Sequence, residues 1–222
     1  MTKVHSGYLN ECRSAPSCGL GLNDEAVRVA VGIRLALNLR VPHQCRCGSQ
    51  FDSFGCHSLV CQRAPGITVR HHHLNDVITR SLAPAGVPVS KEPSGLSRSD
   101  GKRPDGLTLI PWRAGRSVIW DVTVSCTSAD SYLEATSREV GAAAELAASN
   151  KMVKYAGLAS QDEFVPIAVE SHGPINRDAL QFLGEFGRRL VETTGDVRRS
   201  SIFVFIPTAF RCGATFQFGF VA

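Results

Sequence analysis

The chain has no apolar run long enough to cross a membrane, and its opening residues, MTKVHSGYLNECRSAPSC, lack the apolar stretch of a secretory signal. Those absences predict an intracellular protein with no membrane partner. Strong net charge is missing too, the formal balance being only +4 over 222 residues, so any attraction for a polyanion must come from placement. Between Lys91 and Arg116 such placement exists: six basic residues (Lys91, Arg98, Lys102, Arg103, Arg113, Arg116) face three acids (Glu92, Asp100, Asp105). What is present in quantity is apolar content, at 43%, enough for one domain with a real core and a small appendage. Eight cysteines in a reducing compartment point to metal binding or free thiols rather than disulfides.

The informative centre is Arg103 to Val124, RPDGLTLIPWRAGRSVIWDVTV. Branched apolar residues on either side of Arg113-Ala114-Gly115-Arg116 predict two strands joined by a turn. Each strand carries an acid that period-2 alternation places on an apolar face, Asp105 with Leu107 and Leu109, Asp121 with Ile119 and Thr123. A carboxylate in so apolar a run needs compensation, and a divalent cation between Asp105 and Asp121 (Mg²⁺ or Mn²⁺) would supply it. The plainer alternative is a turn aspartate and an edge-strand aspartate facing water.

Upstream, residues 1–22 are polar and aperiodic, a flexible lead-in whose Cys12 and Cys18 read as plain thiols. Residues 23–42 predict a helix opened by Asn23 as N-cap, with Val27, Ala30, Ile33 and Leu37 on one stripe. Residues 43–66 hold C-x-C-x9-H-x3-C: Cys45, Cys47, His57 and Cys61 offer three thiolates and an imidazole to a tetrahedral Zn²⁺. The Cys45/Cys47 spacing is tight, and Cys56 could replace Cys47. A structural zinc would stabilise this loop and set Arg46 and Arg63 beside nucleic acid.

From Arg70 to Leu82, Leu74, Val77, Ile78 and Leu82 form a helical stripe, with Arg70, His71, His72 and Asn75 as a polar, DNA-facing start. VPVSKEP then begins a strand bearing Glu92, and Pro93 to Lys102 is a polar loop. Thr136 and Glu139 suggest a capping box opening one long helix through Tyr155, alanine-rich on one face, with Lys151, Lys154 and Tyr155 toward its end. Phe164 to Glu170 alternates as a strand, Glu170 being a further metal-ligand candidate. A last helix, Arg177 to Glu192, directs Leu180, Leu183, Gly187, Leu190 and Val191 inward. The expected class is α/β, with a mixed central sheet flanked by helices.

Taken together, CRCG...GCHSLVC, RHHHLNDVI, EPSGLSRSDGKRPDGLTLIPW, VIWDVTV, KMVKY and FVPIAVES resemble, in that order, the endonuclease portion downstream of the reverse transcriptase in non-LTR retrotransposons and related cnidarian and sponge reading frames. That group belongs to the restriction-endonuclease-like, PD-(D/E)xK nucleases. The resemblance spans about Val27 to Arg199 and implies an αβββαβ nuclease core over 67–199, a CCHC knuckle over 43–66, and a connector helix over 23–42. It further implies a duplex DNA target, possible contact with the parent element's RNA, a nuclear location, and a nick whose 3′-hydroxyl primes reverse transcription. The family's usual lysine, two positions after the second acid, is Thr123 here. The K...KY pattern therefore assigns catalysis to Asp105, Asp121, Lys151 first, Lys154 second, and Tyr155. His72 stands where the family's Arg/Lys-His-Asn motif has Asn.

Residues 200–222, SIFVFIPTAFRCGATFQFGFVA, are aromatic and nearly uncharged. Codons permissible for Phe203 to Phe218, read one nucleotide later, give SFSSQRLSVAVQRFN, similar to the family's basic tail, so a frameshift or misjoined exon is expected. Two other readings compete with an active nuclease: a catalytically inactive nucleic-acid-binding remnant, and an interaction protein whose acids merely cap turns.

Overall fold

A computed structural model describes residues 24–61, 63, 66–96, 101–158 and 162–197. The expected lead-in, Cys12, Cys18, Asn23, Arg98 and the apolar tail lie outside the described residues. The chain forms two compact units, one comprising the described residues up to Arg70 and the other those from His71 onward.

In the first unit, α1 (Asp24–Arg34) is followed by a hairpin of β1 (His43–Gln44) and β2 (Gln50–Phe51), and by the single turn of α2 (His57–Val60). The helix is shorter than the stripe predicted. Ala36 takes a left-handed φ of 50°, which ends the helix and leaves Leu37 49% exposed rather than packed. Leu39 folds back instead, so close to Gly32 that a Cβ there would meet Leu39 Cδ2 at 2.2 Å. The Leu39 and Arg40 N–H groups then donate to the Ser53 carbonyl, tying the loop before β1 to the one after β2.

Helix α3 (Gly66–Leu82) begins four residues before the predicted Arg70 and leads into the second unit. There the sheet runs β3 (Val89–Lys91), β4 (Gly106–Thr108), β5 (Val118–Ser125), β6 (Glu163–Glu170) in spatial order. β3, β4 and β5 are antiparallel, whereas β6 is parallel to β5, so the sheet is mixed. The predicted turn is present: Arg113 bridges Arg116, with Ala114 and Gly115 at φ 49° and 76°, the two positive values a type I′ turn demands. Its strands are unequal. β4 stops at Thr108, so Leu109, predicted to share the buried face with Asp105, is 58% exposed.

The crossover from β5 to β6 is two helices, α4 (Asp130–Arg138) and α5 (Ala142–Lys154), not the single helix predicted. Glu139 is extended at φ −142° and Gly141 left-handed at 89°, which breaks the run. Thr136 therefore caps nothing. Its hydroxyl donates to carbonyl oxygens of Thr127 and Leu133. The alanine face works as predicted: Ala144, Ala147 and Ala148 pack on Ala168 of β6, which brings the backbone of α5 close to the sheet. Closeness here matters, because it sets how far a side chain at the end of α5 must reach. α6 (Arg177–Thr194) closes the unit with Phe182, Leu183, Phe186, Gly187 and Leu190 buried, but Leu180 is 47% exposed, against expectation.

Candidate metal centres

β5 and β6 are buried along almost their whole length, and Asp121 sits inside that run at 3% exposure. Burying a carboxylate there is tolerable only with partners on every oxygen. Lys151, one turn before the end of α5, forms an ion pair with Asp121 Oδ2. Tyr155 Oη, one turn further, lies 2.9 Å from Asp121 Oδ1 and 3.1 Å from the Arg103 carbonyl, sharing one proton between two acceptors. Lys154 Nζ donates to that same hydroxyl at 3.0 Å and lies 4.5 Å from the ring centroid. The ring itself packs with Ile119 and Phe164, so the hydroxyl is aimed by a buried body.

Asp105 ends the loop before β4 and is 7% exposed. Its backbone is pinned on both sides: its N–H donates to Trp120 O at 3.0 Å, and its carbonyl accepts from Glu92 N–H and from Asn75 Nδ2, each at 3.1 Å. Its Oδ2 accepts from Val122 N–H at 2.6 Å and lies 3.0 Å from His71 Nε2. That hydrogen bond to Asp105 raises the His71 pKa above the ordinary 6.5; burial opposes it, and the charges of Asp105 and Asp121 add to it. Oδ1 of Asp105 accepts no hydrogen bond among the described residues. Two carboxylates, Asp121 on β5 and Asp105 immediately before β4, one with an uncommitted oxygen, are hard oxygen donors of the kind that suits Mg²⁺ or Mn²⁺. Lys151 and Tyr155 thus contact Asp121 directly, Lys154 contacts Tyr155, and Asp105 is held against β5 by Val122 N–H.

Other predicted site residues have different occupations. Glu170 is 2% exposed, and its Oε1 accepts the N–H groups of Ala143 at 2.9 Å and Ala144 at 3.3 Å. It thus caps the first turn of α5. In register it stands opposite Ser125, four residues along the sheet from the Asp121–Pro166 pair, so it does not join the acids as a ligand. Arg70 is 3% exposed and donates Nη2 to the Leu59 carbonyl at 2.8 Å, which removes it from a DNA-facing surface. Asn75, 2% exposed, also faces inward: besides its bond to Asp105, its Oδ1 accepts Trp120 Nε1–H at 3.0 Å. His72, Lys102, Arg103 and Arg46 are exposed, as a contact with phosphate requires.

In the first unit, the donor atoms of Cys45, Cys47, His57 and Cys61 all lie within 4.8 Å of one another. Cys45 Sγ and Cys61 Sγ are 3.8 Å apart, and Cys47 Sγ is 3.2 Å from His57 Nε2. A tetrahedral zinc with Zn–S bonds of about 2.3 Å separates its sulfurs by about 3.8 Å, far beyond a disulfide of about 2.05 Å. The donor set and spacing therefore fit zinc, and of the two alternatives the group contains Cys47 and not Cys56. Hydrogen bonds from Ser49, backbone first, push the Cys47 thiol from its ordinary 9.0 down to about 6, with Cys45 and Cys61 assisting and burial opposing. A thiol so shifted is predisposed to the thiolate a metal needs.

Asp52 is the residue that reading of the sequence missed. Its Oδ1 accepts Cys56 N–H at 3.0 Å and its Oδ2 accepts His57 N–H at 2.6 Å. Burial pushes its carboxyl up, but the His57 and Cys56 N–H groups outweigh this and hold it below the usual range. The cap fixes the turn on which His57 and Cys61 are presented together. Phe51 steadies the imidazole from the side, its ring 5.8 Å away edge-on, and itself stacks on His43 at 4.7 Å. An acid four residues ahead of the Cys-His pair was the available signal.

The chain matches no protein-family model and no curated protein. Its described part is an α/β protein with a mixed four-stranded sheet flanked by helices and a Cys/His cluster able to hold a metal ion. None of its described helices is long and apolar enough to cross a membrane.

Proposed function

We propose that the chain is a metal-dependent DNA endonuclease domain of retrotransposon origin, built on the restriction-endonuclease-like fold and carrying a structural zinc knuckle. One observation carries the reading: buried Asp121 on β5 is contacted from the end of a helix by Lys151 and Tyr155, and buried Asp105, just before the neighbouring strand β4, is tied to the same stretch of β5 through Val122 N–H. The motifs that resemble this nuclease group supply the same four residues. The order α3, three strands, crossover helices, strand, α6 agrees with the αβββαβ core that the resemblance implies.

A divalent cation held by Asp105 and Asp121 would polarise a phosphoryl oxygen and make an attacking water more acidic. The remaining work belongs to the side chains. Tyr155 and Val122 N–H fix one oxygen of each acid, so neither carboxylate has to reorganise. His71 holds the Asp105 carboxylate through Nε2. Lys151 is within reach of the same space and can donate to a phosphate oxygen as negative charge builds on it. Lys102 and Arg103, exposed beside the Asp105 loop, bind the backbone of duplex DNA through phosphates, which carries affinity but no sequence preference.

Incubating supercoiled plasmid with the zinc-loaded chain in Mg²⁺ tests the proposal. The expected product is a nicked circle whose 3′-hydroxyl a DNA polymerase can extend. Plasmid binding without a nick in either Mg²⁺ or Mn²⁺ would instead identify an inactive nucleic-acid-binding remnant.

A further inference from the structure

Each buried acid of the centre has a basic partner from the chain: Lys151 on Asp121 and His71 on Asp105. With side-chain exposures of 5% and 10%, the two carboxylates cannot rely on water for compensation. The two basic side chains are held differently. His71 sits within α3, its ring edge-on to His72 at 5.5 Å. Lys151 stands in the last turn of α5 at 22% exposure, on a flexible four-carbon stem, and among the described residues its ammonium bonds only Asp121. Asp121 does not need it for orientation, because Tyr155 holds the other oxygen.

We infer that Lys151 is an exchangeable counter-cation: it compensates Asp121 in the free protein, competes there with the divalent metal, and moves to a phosphate oxygen when duplex DNA arrives. This rests on Asp105 and Asp121 being the metal centre. While Lys151 stays on Asp121, an incoming dication meets a carboxylate already neutralised and a like charge beside it. A DNA phosphodiester offers the ammonium an equal and opposite charge within a side-chain swing. Metal and DNA therefore bind cooperatively, and linkage makes the effect reciprocal: each tightens the other by the same factor.

The test is Mn²⁺ titration of the zinc-saturated full chain without DNA, reading free Mn²⁺ by electron paramagnetic resonance. Lys151→Met is expected to bind Mn²⁺ about 10-fold more tightly than the wild type, a coupling of ordinary size, while Lys151→Arg stays at the wild-type affinity. Unchanged or weaker binding by Lys151→Met overturns the inference, and Lys151→Gln serves as a second neutral variant should Lys151→Met not fold. Asp121→Asn separates the two ways of failing: if it binds Mn²⁺ as well as the wild type, the metal centre itself is wrong. Fluorescence anisotropy of a labelled duplex tests the transfer to phosphate. Ca²⁺ should tighten duplex binding by the wild type more than by Lys151→Met; equal tightening in both overturns that step.

Discussion

His71 Nε2 lies 3.0 Å from the same Asp105 oxygen that accepts the Val122 N–H at 2.6 Å, so one carboxylate is fixed from a helix and a strand together. The hydrogen bond that His71 donates to Asp105 raises the His71 pKa above 6.5. A group whose pKa is higher folded than unfolded stabilises fully below its unfolded value and loses that contribution as pH rises through the folded value. The stability gap between wild type and His71→Gln should therefore be greatest below pH 6.5 and shrink above it, as urea unfolding across a pH series would record. A gap that stays constant from about pH 6 to about pH 9 would contradict the pairing.

Gly106 and Trp120 set the second expectation. An added Cβ at Gly106 would sit 2.0 Å from Cζ2 of the fully buried indole. Gly106→Ala should cost at least about 1–3 kcal/mol through overpacking, read as a lower urea midpoint. It should also disturb Asp105, the preceding residue, whose N–H is bonded to the Trp120 carbonyl.

The Cys/His cluster predicts one zinc per chain by native mass spectrometry. Cys61→Ser should lose the metal and Cys56→Ser should keep it, since Cys56 is outside the group. Asp52→Ala removes the acceptor of two N–H groups at the start of α2. Loss of such a cap costs about 1 kcal/mol, so zinc should leave this variant at a lower chelator concentration. Equal zinc loss from Cys56→Ser and Cys61→Ser would count against the assignment.

The buried Asp121 was readable from sequence because a carboxylate in an apolar strand is conspicuous wherever the strand ends up. So was the Arg113–Arg116 turn, where Gly115 marks a positive φ. Charged residues that turn inward were not readable. Arg70 looks like a phosphate contact beside three histidines, yet it is buried against the Leu59 carbonyl. Glu170 looks like a third ligand at a strand end, yet it caps α5. Both roles depend on backbone groups far away in sequence, which local pattern does not reveal. Leu109 and Leu180 fail for the converse reason: periodicity names a face, but how far the neighbouring element extends decides whether that face is covered.

Arg70 and Lys102 should accordingly separate in experiment. Arg70→Ala leaves the Leu59 carbonyl without its donor and should lower stability, by about 1–3 kcal/mol, with duplex affinity unchanged in the folded fraction. Lys102→Ala should leave stability alone, weaken duplex binding for all sequences, and reduce the salt slope by about 1. Fluorescence anisotropy over a salt series distinguishes them.

We propose that Asp105 and Asp121 together form a hydrolytic centre. Its most direct test is the single-turnover rate of plasmid nicking in Mg²⁺ by wild type, Asp105→Asn and Asp121→Asn, each shown to be folded by circular dichroism. The wild type is expected to nick and either variant to lose at least about 100-fold, the scale on which single electrostatic contributors to a reaction centre act. Nicking by Asp121→Asn at the wild-type rate would contradict it.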